Sequence, residues 1–100
     1  MEGVKKAFIS QPMKGKTNEQ ITQERQDLIS TLEEQGYTVL DSVLTEKDVV
    51  RNTSLCYLAK SLEIMDEADI VVFMKGWDDA VGCILEHDAA VAYNKEIMEL

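Results

Sequence analysis

The sequence predicts an α/β domain, a three-layer α/β/α sandwich around a parallel four- to five-stranded sheet of flavodoxin or Rossmann-like type. Short β-branched or aromatic runs alternate with longer segments of helical period about four times along the chain. The run Ile70 to Met74 is continuously apolar, as suits a parallel strand covered on both faces. With 100 residues, 45% hydrophobic and 29% charged, the chain has the size and composition of one soluble domain with one core.

The elements follow in order. Val4 to Ser10 reads as a strand, broken at once by QPMKGKT with Pro12 and Gly15. Thr17 or Asn18 caps a helix whose apolar positions Ile21, Leu28, Ile29 and Leu32 keep a helical period until Gly36 stops it. Tyr37 to Leu40 is a short second strand, and the polar stretch Asp41 to Asn52 is a loop with room for one helical turn. Thr53 or Ser54 caps a helix to about Glu67, with Leu55, Leu58, Ala59, Leu62 and Met65 as its apolar face. After the strand Ile70 to Met74 comes a loop carrying Trp77, Asp78 and Asp79. The helix Val81 to Tyr93 and a last strand from Glu96 to Leu100 complete the chain.

Charge and cysteine content exclude several functions. A net charge of -9 argues against gripping polymeric nucleic acid, which relies on many Lys and Arg contacts to phosphate. It leaves open a small phosphorylated ligand, and Lys5, Lys6, Lys14 and Lys16 cluster near the start of the chain. No apolar run approaches the length of a membrane span, and the opening MEGVKKAFIS lacks the pattern of a secretory signal. Cys56 and Cys83, without CxxC spacing, and the single His87 make no zinc signature, so no metal or cofactor is expected. Reduced thiols fit a cytoplasm.

Two stretches carry chemistry. In such a sheet the loops after the first and third strands meet across one cleft. The first loop joins a strand end to a helix start, with Gly15 allowing close backbone approach and Lys14 and Lys16 beside it, a pattern that favours an anion. It is neither a Walker nor a GxGxxG sequence, and an ordinary turn with exposed lysines explains it as well. On the last helix Cys83, Glu86, Ala90 and Asn94 share one side, and Val81, Leu85, Ala89 and Ala92 another. Glu86, four residues after Gly82, is placed to act as nucleophile or general base, the alternative being a surface glutamate favoured by the helix dipole. Trp77 either stacks on a planar ligand or covers the core edge. Asp78 and Asp79 either hold sugar hydroxyls or cap the helix.

The segments AFISQPMKGKT, LAKSLEIMDEADIVVFMKGW and VGCILEHDAAVAYNKEI, in this order and spacing, resemble the nucleoside 2-deoxyribosyltransferase-like superfamily, and most closely its small bacterial and phage branch. The resemblance covers nearly the whole chain and implies a single domain of that type over 1–100. It implies cleavage or exchange of the N-glycosidic bond of a nucleoside or nucleotide by a glutamate in a G-x-x-x-E helix, here Gly82 and Glu86. Relatives that hydrolyse deoxynucleoside monophosphates hold the phosphate on the loop after the first strand, which here is Met13 to Lys16. The implied substrate-binding set is Phe8, Ser10, Gln11, Met13, Lys14, Gly15, Lys16, Ser61, Trp77 and Gly82. Asp79, or a residue of a neighbouring subunit, is the implied proton donor beside the nucleophile Glu86.

The chain departs from that pattern where Phe8 replaces a tyrosine, Ala80 an aspartate six residues before the glutamate, and Ser61 a further aspartate. A nucleotide-binding protein without turnover is therefore the alternative expectation. The resemblance also implies a homodimer or larger homo-oligomer, with neighbouring subunits completing a shallow cleft.

Overall fold

The computed structural model describes residues 4–100; Met1 to Gly3, part of the stretch read for a secretory signal, lie outside the described residues. Four strands, β1 (Lys5–Ser10), β2 (Tyr37–Val39), β3 (Ile70–Phe73) and β4 (Glu96–Glu99), form one sheet in the order β2-β1-β3-β4. Every pairing is parallel, with Ala7 opposite Val39 and Ile70, and Val71 opposite Ile97. The ladders run slightly past the strand ends, since Leu40 donates to the Ala7 carbonyl, Met74 to Ser10 and Leu100 to Phe73. The expected strands and the regular ones thus differ by only a residue or so.

Three helices connect them: α1 (Asn18–Glu34), α2 (Ser54–Met65) and α3 (Val81–Ala92). Thr17 begins α1 with a capping box, its hydroxyl accepting from the Gln20 N–H while the Gln20 side chain accepts from the Thr17 N–H. Gly36, at φ 93°, takes the left-handed conformation that turns the chain into β2. Thr53 caps α2 through the Cys56 N–H, and one 3-10 turn, Glu46–Asp48, occupies the expected loop.

Strand alternation divides the core between the two faces of the sheet. Ala7, Ile9, Ile70 and Val72 pack with Leu32, Leu28 and Ile29 of α1. Phe8, Val71 and Phe73 pack with Met65, Leu62 and Ala90 of α2 and α3. One helix therefore covers one face and two cover the other, as crossovers of a single hand require when strand order reverses between β1 and β3.

The apolar face expected for α2 is only half buried. Leu62 and Met65 reach the core, whereas Leu55 is 77% exposed and Ala59 is exposed. The first turns of α2 overhang the C-terminal edge of the strands, where there is no sheet to cover. Among the described residues no helix is long and apolar enough to cross a membrane.

Candidate functional site

Because α1 leaves β1 toward one face and α3 leaves β3 toward the other, their connecting loops part above the sheet and leave a crevice. The loops touch at its base, where a Cβ on Gly76 would lie 3.7 Å from Pro12 Cγ. The crevice is a cleft of about 420 Å³, within the usual range for small-molecule sites, and Glu86, Ser61, Tyr57, Arg25, Gln11 and Met13 are among the residues lining it.

Glu86 reaches this cleft through helix register. Cys83, Glu86 and Ala90 are the buried residues of α3, the spacing that keeps side chains on one face. Glu86 is 8% exposed, far from the surface glutamate of the alternative reading. The Ser10 hydroxyl, at the end of β1, donates to its Oε1 at 2.7 Å. Burial pushes the Glu86 carboxyl above the usual carboxylate range, and the hydroxyls of Ser10 and Ser61 draw it partly back by favouring the charged form. The neighbouring Cys83 thiol is likewise pushed up by burial, which leaves it a poor nucleophile.

The α3 N-terminus is open. Its N-cap is Ala80, which has no side chain to bond the first turn, so neither Asp78 nor Asp79 caps the helix. Both aspartates belong to the 3-10 turn Trp77–Asp79 and are exposed. The extended Ala80 that follows separates them from the helix. Gly82 lines the cleft, and a Cβ there would meet open space.

Of the residues singled out in the sequence, the fold brings Phe8, Gln11, Met13, Ser61, Gly82 and Glu86 to the cleft wall, with Ser10 directly behind Glu86. It does not bring Lys14, Gly15, Lys16, Trp77 or Asp79 there. Gly15, at φ 80°, serves a tight turn closed by Lys16 N–H donating to the Met13 carbonyl. Lys16 forms a 2.9 Å ion pair with Glu24, holding that carboxyl below its ordinary value. Lys5 and Lys6 begin β1, so the four lysines clustered in sequence are divided between the two ends of that strand. Trp77 covers the core edge: it stacks on His87 at a centroid distance of 4.1 Å and leans on Phe73. His87 is held in turn by Glu99 at 2.7 Å.

Arg25 was not singled out, yet it lines the cleft and is 7% exposed. Its Nη2 donates to the Ser42 hydroxyl at 2.9 Å and reaches the Leu40 carbonyl at 3.4 Å, and Ser42 donates to the Ile9 carbonyl. Burial lowers its pKa against the opposing pull of Asp41, but a guanidinium remains protonated. A signal was present: positions 21, 25, 28 and 32 are one helical stripe, and a charged residue in an otherwise apolar stripe calls for a partner. Tyr57 of α2 also lines the cleft. Among the described residues no group of three or more His, Cys, Asp or Glu is arranged to hold a metal ion.

Fold and site together define a parallel α/β domain with a buried carboxylate and a buried guanidinium in one cleft at its switch point. The chain belongs to the DUF4406 family, a domain of unknown function, whose model matches residues 5–99. No curated protein matches the chain.

Proposed function

We propose that this protein cleaves the N-glycosidic bond of a nucleoside or nucleotide, or transfers its deoxyribosyl group, with Glu86 as nucleophile. The observation that carries this reading is the Glu86 carboxylate, buried in the cleft wall and oriented by Ser10. With Oε1 engaged by Ser10, Oε2 attacks the anomeric carbon. The C–N bond breaks, its electron pair leaves with the base, and a glycosyl ester of Glu86 forms. The negative carboxylate stabilises the oxocarbenium character of the transition state. Water, or the nitrogen of a second base, then attacks the same carbon and frees Glu86. Asp79 is exposed and outside the cleft lining, so the departing base draws its proton from solvent at the open side of the cleft.

A second reading, nucleotide binding without turnover, is favoured by one observation: among the described residues lining the cleft, Glu86 is the sole carboxylate. Glycosidases of the two-carboxylate type need a second. Incubation with each deoxynucleoside and each deoxynucleoside monophosphate, followed by chromatography for free base, separates the two. Release that disappears in Glu86→Ala upholds the first reading, and binding without release upholds the second.

The same reading includes a cytoplasmic setting and a homodimer or larger homo-oligomer. The exposed Leu55, Val81 and Leu85, around a hollow that adjoins Glu86, support the latter as a surface for a second copy. Size-exclusion chromatography with light scattering tests it.

A further inference from the structure

Two buried polar groups in the cleft wall have bonding capacity that the fold leaves unmet. Arg25 and Gln11 are each 7% exposed, and Arg25 Nη1 and Gln11 Oε1 have no hydrogen-bond partner among the described residues. Neither side chain is free to turn and satisfy itself. The Gln11 amide nitrogen donates to the Ile21 carbonyl at 2.9 Å, which fixes the carboxamide with its oxygen left over. Arg25 is fixed through Nη2 by Ser42 and Leu40. Buried groups in this condition are uncommon, and these two, one a charged donor and the other a neutral acceptor, line the same cleft.

No carboxylate among the described residues forms an ion pair with Arg25. Asp41 pulls on the guanidinium only through space, being exposed and engaged by the Val43 N–H, and Glu24, the preceding residue of α1, is paired with Lys16. The guanidinium is therefore a buried cation without its anion, in a chain of net charge -9 where acidic residues are plentiful. Glu86 does not supply the anion: its environment is shaped by burial and by Ser10 and Ser61.

We propose that Arg25 and Gln11 anchor the phosphate and a sugar hydroxyl of the ligand, so that the cleft takes nucleoside monophosphates in preference to nucleosides. Arg25 Nη1 donates to a phosphate oxygen, and Gln11 Oε1 accepts from a hydroxyl. This rests on the N-glycosidic reading for the nucleoside part of the ligand, and it replaces the loop lysines Lys14 and Lys16 as the anion site. Arg25 donates to the Ser42 hydroxyl, which in turn donates to the Ile9 carbonyl, while Glu86 accepts from Ser10. Consecutive residues of β1 thus hold the two ends of the ligand, its anion and its anomeric carbon.

Isothermal titration with the four deoxynucleoside monophosphates and the matching deoxynucleosides tests this, using the wild-type chain and Glu86→Gln to suppress turnover. At least one monophosphate is expected to bind about tenfold or more tighter than its nucleoside, the scale of one charge-assisted hydrogen bond, and to weaken as salt rises. Arg25→Lys, with its fold checked by circular dichroism, and Gln11→Glu are each expected to abolish the preference. Lys14→Ala and Lys16→Ala are expected to leave it intact. Equal affinity for nucleoside and monophosphate in the wild-type chain overturns the proposal and needs no variant. So does a preference lost with the loop lysines rather than with Arg25. Monophosphate binding through Arg25 without base release upholds this inference and sinks the N-glycosidase reading. Base release at equal rates from both ligand types, unchanged in Arg25→Lys, does the reverse.

Discussion

The Ser10 hydroxyl and the Glu86 carboxylate, 76 residues apart in the chain, meet in a buried hydrogen bond of 2.7 Å. Ser10 ends a central strand and is 1% exposed, so its hydroxyl has little freedom and the carboxylate inherits that rigidity. A fixed carboxylate needs no reorganisation when charge develops beside it.

Replacing Glu86 by Gln is expected to abolish base release and to raise stability at neutral pH. The folded-state pKa of Glu86 lies above its unfolded value, so the native state binds more protons than the unfolded chain between the two. Stability therefore falls as pH rises through that window, and the cost of the buried charge persists above it. The neutral isostere removes this cost, a gain of about 0.5–2 kcal/mol at pH 7 that vanishes below the ordinary Glu pKa. Thermal melts of both proteins at acid and neutral pH check the sign.

Ser10→Ala is expected to move the acid limb of kcat/KM to higher pH. The nucleophile must be ionised, and losing a hydrogen bond to the charged form raises its pKa further. Ser61→Ala moves the limb in the same direction by less, since its hydroxyl acts more weakly than that of Ser10. A pH–rate profile of each variant decides; a limb moving down in either would contradict the electrostatic account.

Gly82 lies in the first turn of α3 with open space where a Cβ would project. Gly82→Ala should stabilise the fold by roughly 0.5–1 kcal/mol through helix propensity, while the added methyl narrows the cleft and weakens ligand binding. Denaturant melts and titration on the same sample separate the two effects. A bulkier Gly82→Val should weaken binding further.

The single tryptophan gives a direct optical test. Trp77 is stacked on His87 and outside the cleft lining, so its fluorescence is expected to change little when a nucleotide binds. Strong quenching at saturation would mean that the ring leaves His87 to stack on the ligand.

Much of the fold was legible because its signals are local. The apolar run around Val71, the Thr17 cap and the Gly36 stop act through residues near them in sequence, and each appears where expected. Glu86 was legible too, since its inward side follows from helix register with Cys83 and Ala90. What failed depended on where elements end in space. Leu55 looked like core until α2 proved to overhang the sheet, and the lysine cluster dissolved once β1 was seen to separate its members. Asp79 stood near Glu86 in sequence, but a 3-10 turn and an extended Ala80 carry it into solvent. Arg25 was passed over because a charged residue at a buried register position is read as exposed unless its partners, Ser42 and Leu40 beyond β2, are already in view.

Consecutive side chains of a strand serve opposite layers of the sheet, and β1 is locked between two neighbours, with Ile9 opposite Val72 and Ser10 opposite Phe73. Sliding this strand by one residue would exchange the layers its side chains face, taking the hydroxyl from Glu86 and unseating the core at once. A slip in register would therefore cost the acidic end of the pocket and the sheet beneath it together. The turn from Met13 to Lys16, free of that constraint, is where the protein has latitude to vary the shape of what it accepts.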